Sequence, residues 1–217
     1  MNEAIFKIIH QDTDILVIQK LASFLSQRGD QGSKEGLDEF LARVLKMKVY
    51  PVHRLDREVL GLMIFALNPK SAESLSQQFK LRKVEKLYWA RVKGRLKEKN
   101  AHLVHYLKKN LRKNYVTVFP RETEGAKRAE LTYEVLSESD HSSILQIRLG
   151  TGRSHQIRAQ LAKIGHPIVG DGRYGARHED GQSRDESIQL QSIVIGISHP
   201  QTGKFLRWEI NPSLEIE

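Results

Sequence analysis

The run Gly61-Leu62-Met63-Ile64-Phe65-Ala66-Leu67, followed at once by Asn68-Pro69, decides more about this chain than any other stretch. Seven residues without a charge, bounded by a glycine and an Asn-Pro pair, have the length and composition of a strand buried on both faces. Asn68 is a good helix N-cap, and Pro69 suits the first helical position. Ala72, Leu75 and Phe79 then share one helical face. A buried strand therefore passes directly into a capped helix.

The pattern extends in both directions. Upstream, Ile5–Ile9 and Ile15–Ile18 are β-rich runs separated by Asp12-Thr13-Asp14, which predicts a hairpin. A polar loop, Gln27–Gly36, leads to Leu37, Phe40, Leu41, Val44 and Leu45 at amphipathic-helix spacing. Downstream, Leu87–Val92 alternates, with Tyr88, Ala90 and Val92 on one face and Leu87 and Trp89 on the other. Leu96–Glu124 is basic and poorly periodic, which predicts short strands with long turns. Leu131, Tyr133 and Val135 mark one strand face, and Leu145, Ile147 and Leu149 the next. Gly150-Thr151-Gly152 precedes a helix from about Ser154, with Ile157, Leu161 and Ile164 on one stripe and Gly165 as its stop. After a polar loop at His178–Ser187, the strands Ile188–Ile197 and Lys204–Ile210 flank the turn His199–Gly203. Strands outnumber helices, and many gaps are hairpin-sized. The expected fold is α+β, one domain over residues 1–217, with flanking helices on a largely antiparallel mixed sheet.

Composition narrows the function. The 217 residues carry 35 Lys+Arg against 26 Asp+Glu, a formal net charge of +9. Residues 80–128 hold 16 basic and 4 acidic side chains, whereas the rest of the chain is mildly acidic. Such a sector fits an anionic partner, nucleic acid first and an acidic membrane second. The absence of cysteine excludes disulfides, thiolate metal sites and thiol nucleophiles. No apolar run reaches the roughly 18–20 residues of a membrane-spanning helix. The N-terminal residues lack the pattern of a secretory signal, so a cytoplasmic location and no membrane partner are expected.

Three short stretches can carry chemistry. His53-Arg54-Leu55-Asp56-Arg57 places one carboxylate among two arginines; an ionised Asp can act as nucleophile or base, or the group can be a loop ion pair. Gly150–Arg158 is a glycine-rich turn opening a helix, suited to an anion or to a carboxylate partner, though a plain strand-to-helix turn reads the same. Lys86–Gly94 interleaves aromatics with cations on a strand, which suits stacking on unpaired bases or ordinary core packing. His53 with Asp56, or His155 with His166, match no metal-ligand spacing, so no metal is expected.

In chain order these pieces resemble the RluA-type family of RNA pseudouridine synthases. The resemblance rests on His53-Arg54-Leu55-Asp56 with Gly61-Leu62, then Val84–Gly94, Gly152–Arg158, Gly165-His166-Pro167-Ile168-Val169-Gly170-Asp171 and Ser198–Gly203. It spans about residues 4–210 and implies a pseudouridine synthase catalytic core that isomerises uridine in ribosomal or transfer RNA, with no cofactor. By resemblance Asp56 is the catalytic carboxylate and Arg153 its partner. Tyr88 stacks on the target base, Arg54 helps hold the extruded nucleotide, and Leu190 lines the pocket. No N-terminal accessory RNA-binding module is expected, and a monomer is the default.

The chain departs from the pattern in places. Val59 and Leu60 stand where the family usually has Thr-Ser, Leu21 follows Lys20 in place of the usual proline, and the usual Leu-His-Ala reads Leu190-Gln191-Ser192. Val59 and Leu60 are the support for an alternative, a catalytically inactive RNA-binding protein that retains the fold. A glycoside or nucleoside hydrolase ranks last, because no motif sets a second carboxylate beside Asp56. The basic sector is expected to guide the RNA backbone, with Lys108, Lys109, Arg112 and Lys113 as contributors.

Overall fold

In the computed structural model the run that opens the sequence reading is strand β4, Leu60–Ala66, with residues 61–66 all buried. It leads into α2, Pro69–Lys80, whose N-cap Asn68 accepts a hydrogen bond from the Ser71 amide at 2.9 Å. The structure describes residues 5–27, 35–175 and 187–212. The loop expected at His178–Ser187, apart from its last residue, and most of Gln27–Gly36 lie outside them. Two compact units are distinguished. The first takes the described residues of Met1–Lys86 with Gln191–Asn211, and the second those of Leu87–Leu190 with Pro212–Glu217.

In the first unit, β1 (Phe6–Gln11) and β2 (Ile15–Lys20) form the expected hairpin, with a register shift between Ile8 and His10. Strand β2 pairs antiparallel with β4, which also pairs with the short β3, Tyr50–Pro51. Strand β10, Leu190–Ser198, runs parallel to β4 and antiparallel to β11, Phe205–Glu209. Helix α1 is Leu37–Leu45. Ile15, Val17, Leu62, Ile64, Ala66, Leu75, Ile195 and Ile197 form one core, with Phe79 and Trp208 against it. Leu16, Ile18, Met63 and Phe65, on the opposite faces of their strands, are also fully buried. Burial on both faces is why β2 and β4 read as unbroken apolar runs.

In the second unit, β5 (Glu85–Lys93, whose first two residues belong to the first unit), β9 (Ser142–Leu149), β8 (Lys127–Glu138), β6 (Asn100–Asn110) and β7 (Tyr115–Phe119) pair in that order, all antiparallel. The basic stretch thus differs from expectation. It holds one eleven-residue strand and a long hairpin, not short strands with long turns. From Lys108 to Tyr115 every residue is exposed, so no buried face imposes a period of two on the sequence.

Helix α3, Gln156–Lys163, starts two residues later than expected and is buried on all sides from Gln156 to Leu161, not on one stripe. Its buried polar groups are satisfied internally. Arg158 makes a bidentate pair with Asp171 at 2.8 Å, and Gln160 contacts His105 and the Leu103 carbonyl. Gly165, at φ +88°, follows the helix as expected. Among the described residues no helix is long and apolar enough to cross a membrane.

Gly61 is the tightest point of the first unit. It sits at φ +105°, and a Cβ there would overlap the Ser192 backbone where β4 meets β10. Gly61→Ala should therefore lower stability by about 3 kcal/mol, read as a lower midpoint in urea unfolding.

Candidate active site

Asp56 lies on the loop between β3 and β4, and its geometry begins with a lysine. Lys20 ends β2 two residues after Ile18, so its stem shares that strand face and enters the core, where it is fully buried. Its ammonium donates to the carbonyls of Phe24 at 2.9 Å, Asp56 at 3.2 Å and Arg57 at 2.6 Å. Burial pushes this amine down from 10.5 to about 8, against the carboxylates of Glu58 and Asp56, which favour its charge.

Ser26 supplies a second clamp. Its hydroxyl donates to the Leu55 carbonyl at 2.7 Å and accepts from the Leu55 amide at 3.0 Å. A turn closes the loop, with the Val59 amide donating to the Asp56 carbonyl at 3.1 Å. The Val59 side chain is buried. The position read as a lost hydroxyl is thus a packing contact that fixes the end of the turn. Leu55 points inward and Arg54 outward, and Asp56 is half-buried.

His53 differs from expectation. Its ring stacks on Phe79 with centroids 4.7 Å apart, and Nε2 accepts from the Ile64 amide at 3.0 Å. Burial, helped by the charge of Lys86, lowers its pKa to about 3. It is a neutral structural histidine, not a ligand.

The expected residues divide between the two units. Arg54 and Asp56 share one loop of the first. Tyr88, Arg153 and Leu190 belong to the second. Tyr88 is buried on β5, opposite Ile147 of β9. Leu190 is buried at the start of β10. Arg153 is exposed in the turn before α3, and its Nε donates to the Arg128 carbonyl at 3.1 Å. This helix start is not a set of free amides. The Gln156 side chain accepts from the Arg153 amide at 2.9 Å and the Thr151 hydroxyl at 2.7 Å, and its Nε2 donates to the Glu130 carbonyl. Gln156 thereby shapes the turn that presents Arg153, a role the sequence reading missed. Also missed were the clamps of Lys20 and Ser26. A lysine closing the apolar run Ile15–Ile18 was the available signal for the first.

Among the described residues Asp12, Asp14 and His199 could bring metal-binding atoms together. Their hydrogen bonds account for the cluster without an ion. His199 Nδ1 accepts from the Gln201 and Thr202 amides, so Nε2 carries the proton and donates to Asp12 at 3.1 Å. The other Asp12 oxygen accepts from the Asp14 and Ile15 amides, and Asp14 accepts from Ser71 and Asn68. The cluster ties the β1–β2 turn to the β10–β11 turn.

Similarity to known proteins covers the loop and both flanks. The family model described as RNA pseudouridylate synthase matches residues 14–163. The dual-specificity RNA pseudouridine synthase RluA of Yersinia pestis is 33% identical, over 90% of this chain and 94% of that protein. The tRNA pseudouridine synthase C of Haemophilus ducreyi is 29% identical, over 90% and 86%. The ribosomal large subunit pseudouridine synthase C of Vibrio parahaemolyticus is 32% identical; the match covers 96% of this chain but 65% of that longer protein. The human RNA pseudouridylate synthase domain containing 1 has the same fold, with a TM-score of 0.80 at 24% identity over 96% of this chain and 84% of that one.

The Lys20 clamp has a thermodynamic signature. Unfolded lysine keeps its proton to about pH 10.5, whereas native Lys20 releases it from about pH 8. Between these values the unfolded chain binds more protons, so this residue makes stability rise with pH. In urea unfolding across that window Lys20→Met should abolish the rise, worth up to about 3 kcal/mol.

Proposed function

This chain belongs to the RNA pseudouridylate synthase family, and we propose that it isomerises specific uridines of ribosomal or transfer RNA to pseudouridine with Asp56 as the reacting carboxylate. The observation that carries the reading is Asp56 itself. It falls inside the matched segment, on a loop whose backbone is held by Lys20 and Ser26. A reacting carboxylate has to be presented in one geometry, and a loop clamped from its own core provides that.

The reaction breaks the bond between uracil N1 and the ribose C1′, turns the base, and joins C5 to C1′. The C5 proton leaves and N1 gains one, so no atom is added or lost. An ionised Asp56 can act at the sugar or at the base and is released unchanged. The uridine must leave the stack to reach it, and water must be kept from the detached uracil. The resemblance gives Tyr88 the stacking role, Arg153 the role of cationic partner to Asp56, Arg54 that of holding the nucleotide backbone, and Leu190 that of an apolar wall. The same reading has the protein act as a cytoplasmic monomer without metal or organic cofactor.

Incubation with unmodified ribosomal and transfer RNA transcripts, followed by pseudouridine mapping, tests this. The wild type should modify discrete positions. Asp56→Ala should form no pseudouridine while binding RNA within a few-fold of wild type. Activity retained by Asp56→Ala would remove the assignment. Wild-type binding without modification would favour the inactive RNA-binding alternative.

A further inference from the structure

The exposed hairpin of β6 and β7 has a feature that the catalytic residues do not explain. Its apex, Leu111-Arg112-Lys113-Asn114, carries the most exposed large apolar side chain among the described residues, Leu111 at 80%. A lone exposed leucine needs no functional account. This one sits among Lys108, Lys109, Arg112 and Lys113, all exposed, in a segment with no acidic residue between Glu98 and Glu122. Lys108 donates to the Glu124 carbonyl at 3.1 Å, which orients it without neutralising it.

The apex is also held in place. The Lys113 amide donates to Asn110 Oδ1 at 3.0 Å, and Asn114 takes a left-handed conformation at φ +44°. Arg173 donates to the Asn114 carbonyl at 2.9 Å. At the hairpin base Tyr115 stacks on Tyr174 with centroids 4.8 Å apart, and the Tyr174 hydroxyl accepts from the Val116 amide at 2.8 Å. The backbone of Tyr174 is in turn anchored by Asp171, the buried partner of Arg158. A pre-organised apolar tip within a ring of unneutralised cations is the form of a wedge that enters a nucleic-acid stack while its neighbours hold phosphates.

We propose that Leu111 inserts into a base step of the substrate RNA and partly unstacks it, with Lys109, Arg112 and Lys113 on the flanking phosphates. The inference rests on the RNA-modifying function above and specifies how the RNA is opened before its uridine is extruded.

A short synthetic RNA stem-loop carrying 2-aminopurine in its stem reports the unstacking, since that base brightens when it leaves the stack. Wild-type protein should bind and raise the fluorescence. Leu111→Ala should lose most of the rise, and Leu111→Met should keep it. Charge reversal at Lys109, Arg112 and Lys113 should weaken binding at least tenfold and reduce the slope of log affinity against log salt by about 2, close to the roughly 0.7–0.9 expected per phosphate contact. A rise undiminished in Leu111→Ala, or binding by the wild type with no rise, overturns the wedge. Affinity unchanged by charge reversal overturns the RNA assignment of this surface and points to an acidic protein partner. Pseudouridine formation by the wild type, measured separately, keeps failure of the wedge distinct from failure of the enzymatic reading.

Discussion

Three backbone carbonyls of the first unit share the buried ammonium of Lys20. Taking a charged amine out of water is unfavourable, and only good hydrogen-bond geometry offsets it. The chain between Phe24 and Arg57 is therefore bound to one arrangement: if the carbonyls move away, a buried charge is stranded. Ser26 tightens the same loop through both the amide and the carbonyl of Leu55. Val59 closes its turn, and Gly61 lets β4 pass against β10 where any side chain would collide. Arg54 and Asp56 thus project from a loop whose backbone belongs to the core.

The second unit uses buried polar groups in the same way. Helix α3 has no solvated face over most of its length, yet Gln156, Arg158 and Gln160 each find partners inside. Each link has a different consequence. Gln156 shapes the turn carrying Arg153, while Asp171 and Tyr174 support the base of the basic hairpin. The positive charge is concentrated on an element whose footing is rigid and whose tip meets solvent. That division suits a protein that must grip a polyanion while presenting few residues to one nucleotide.

Much of this was legible in the sequence, for physical reasons. The β1–β2 hairpin, α1, β4 and the Asn68 cap followed from periodicity and local hydrogen-bond chemistry, which are properties of short segments. Asp56 stood out because several short blocks occur in a fixed order, although each alone reads equally well as packing or an ion pair. What escaped notice depends on contacts distant in sequence. A lysine after an apolar run reads as the exposed end of a strand, until a loop 36 residues later supplies its acceptors. His53, set between polar neighbours, reads as part of a charged cluster, until Phe79 and the Ile64 amide make it a neutral core residue. Helix α3 breaks the amphipathic pattern because it is enclosed, and β6 lacks alternation because its end has no core to face.

The account depends above all on the loop of Asp56 being held from within by Lys20 and Ser26. Residue-resolved amide hydrogen exchange tests this most directly, at Leu55 and Val59, the two loop amides with internal partners. Wild-type protein should protect both to a degree comparable with Ile64 in β4, and Lys20→Met should expose them while Ile64 stays protected. Leu55 and Val59 exchanging in the wild type as freely as solvent-exposed loop amides would contradict the clamp, and with it the geometric basis for Asp56 as a positioned carboxylate.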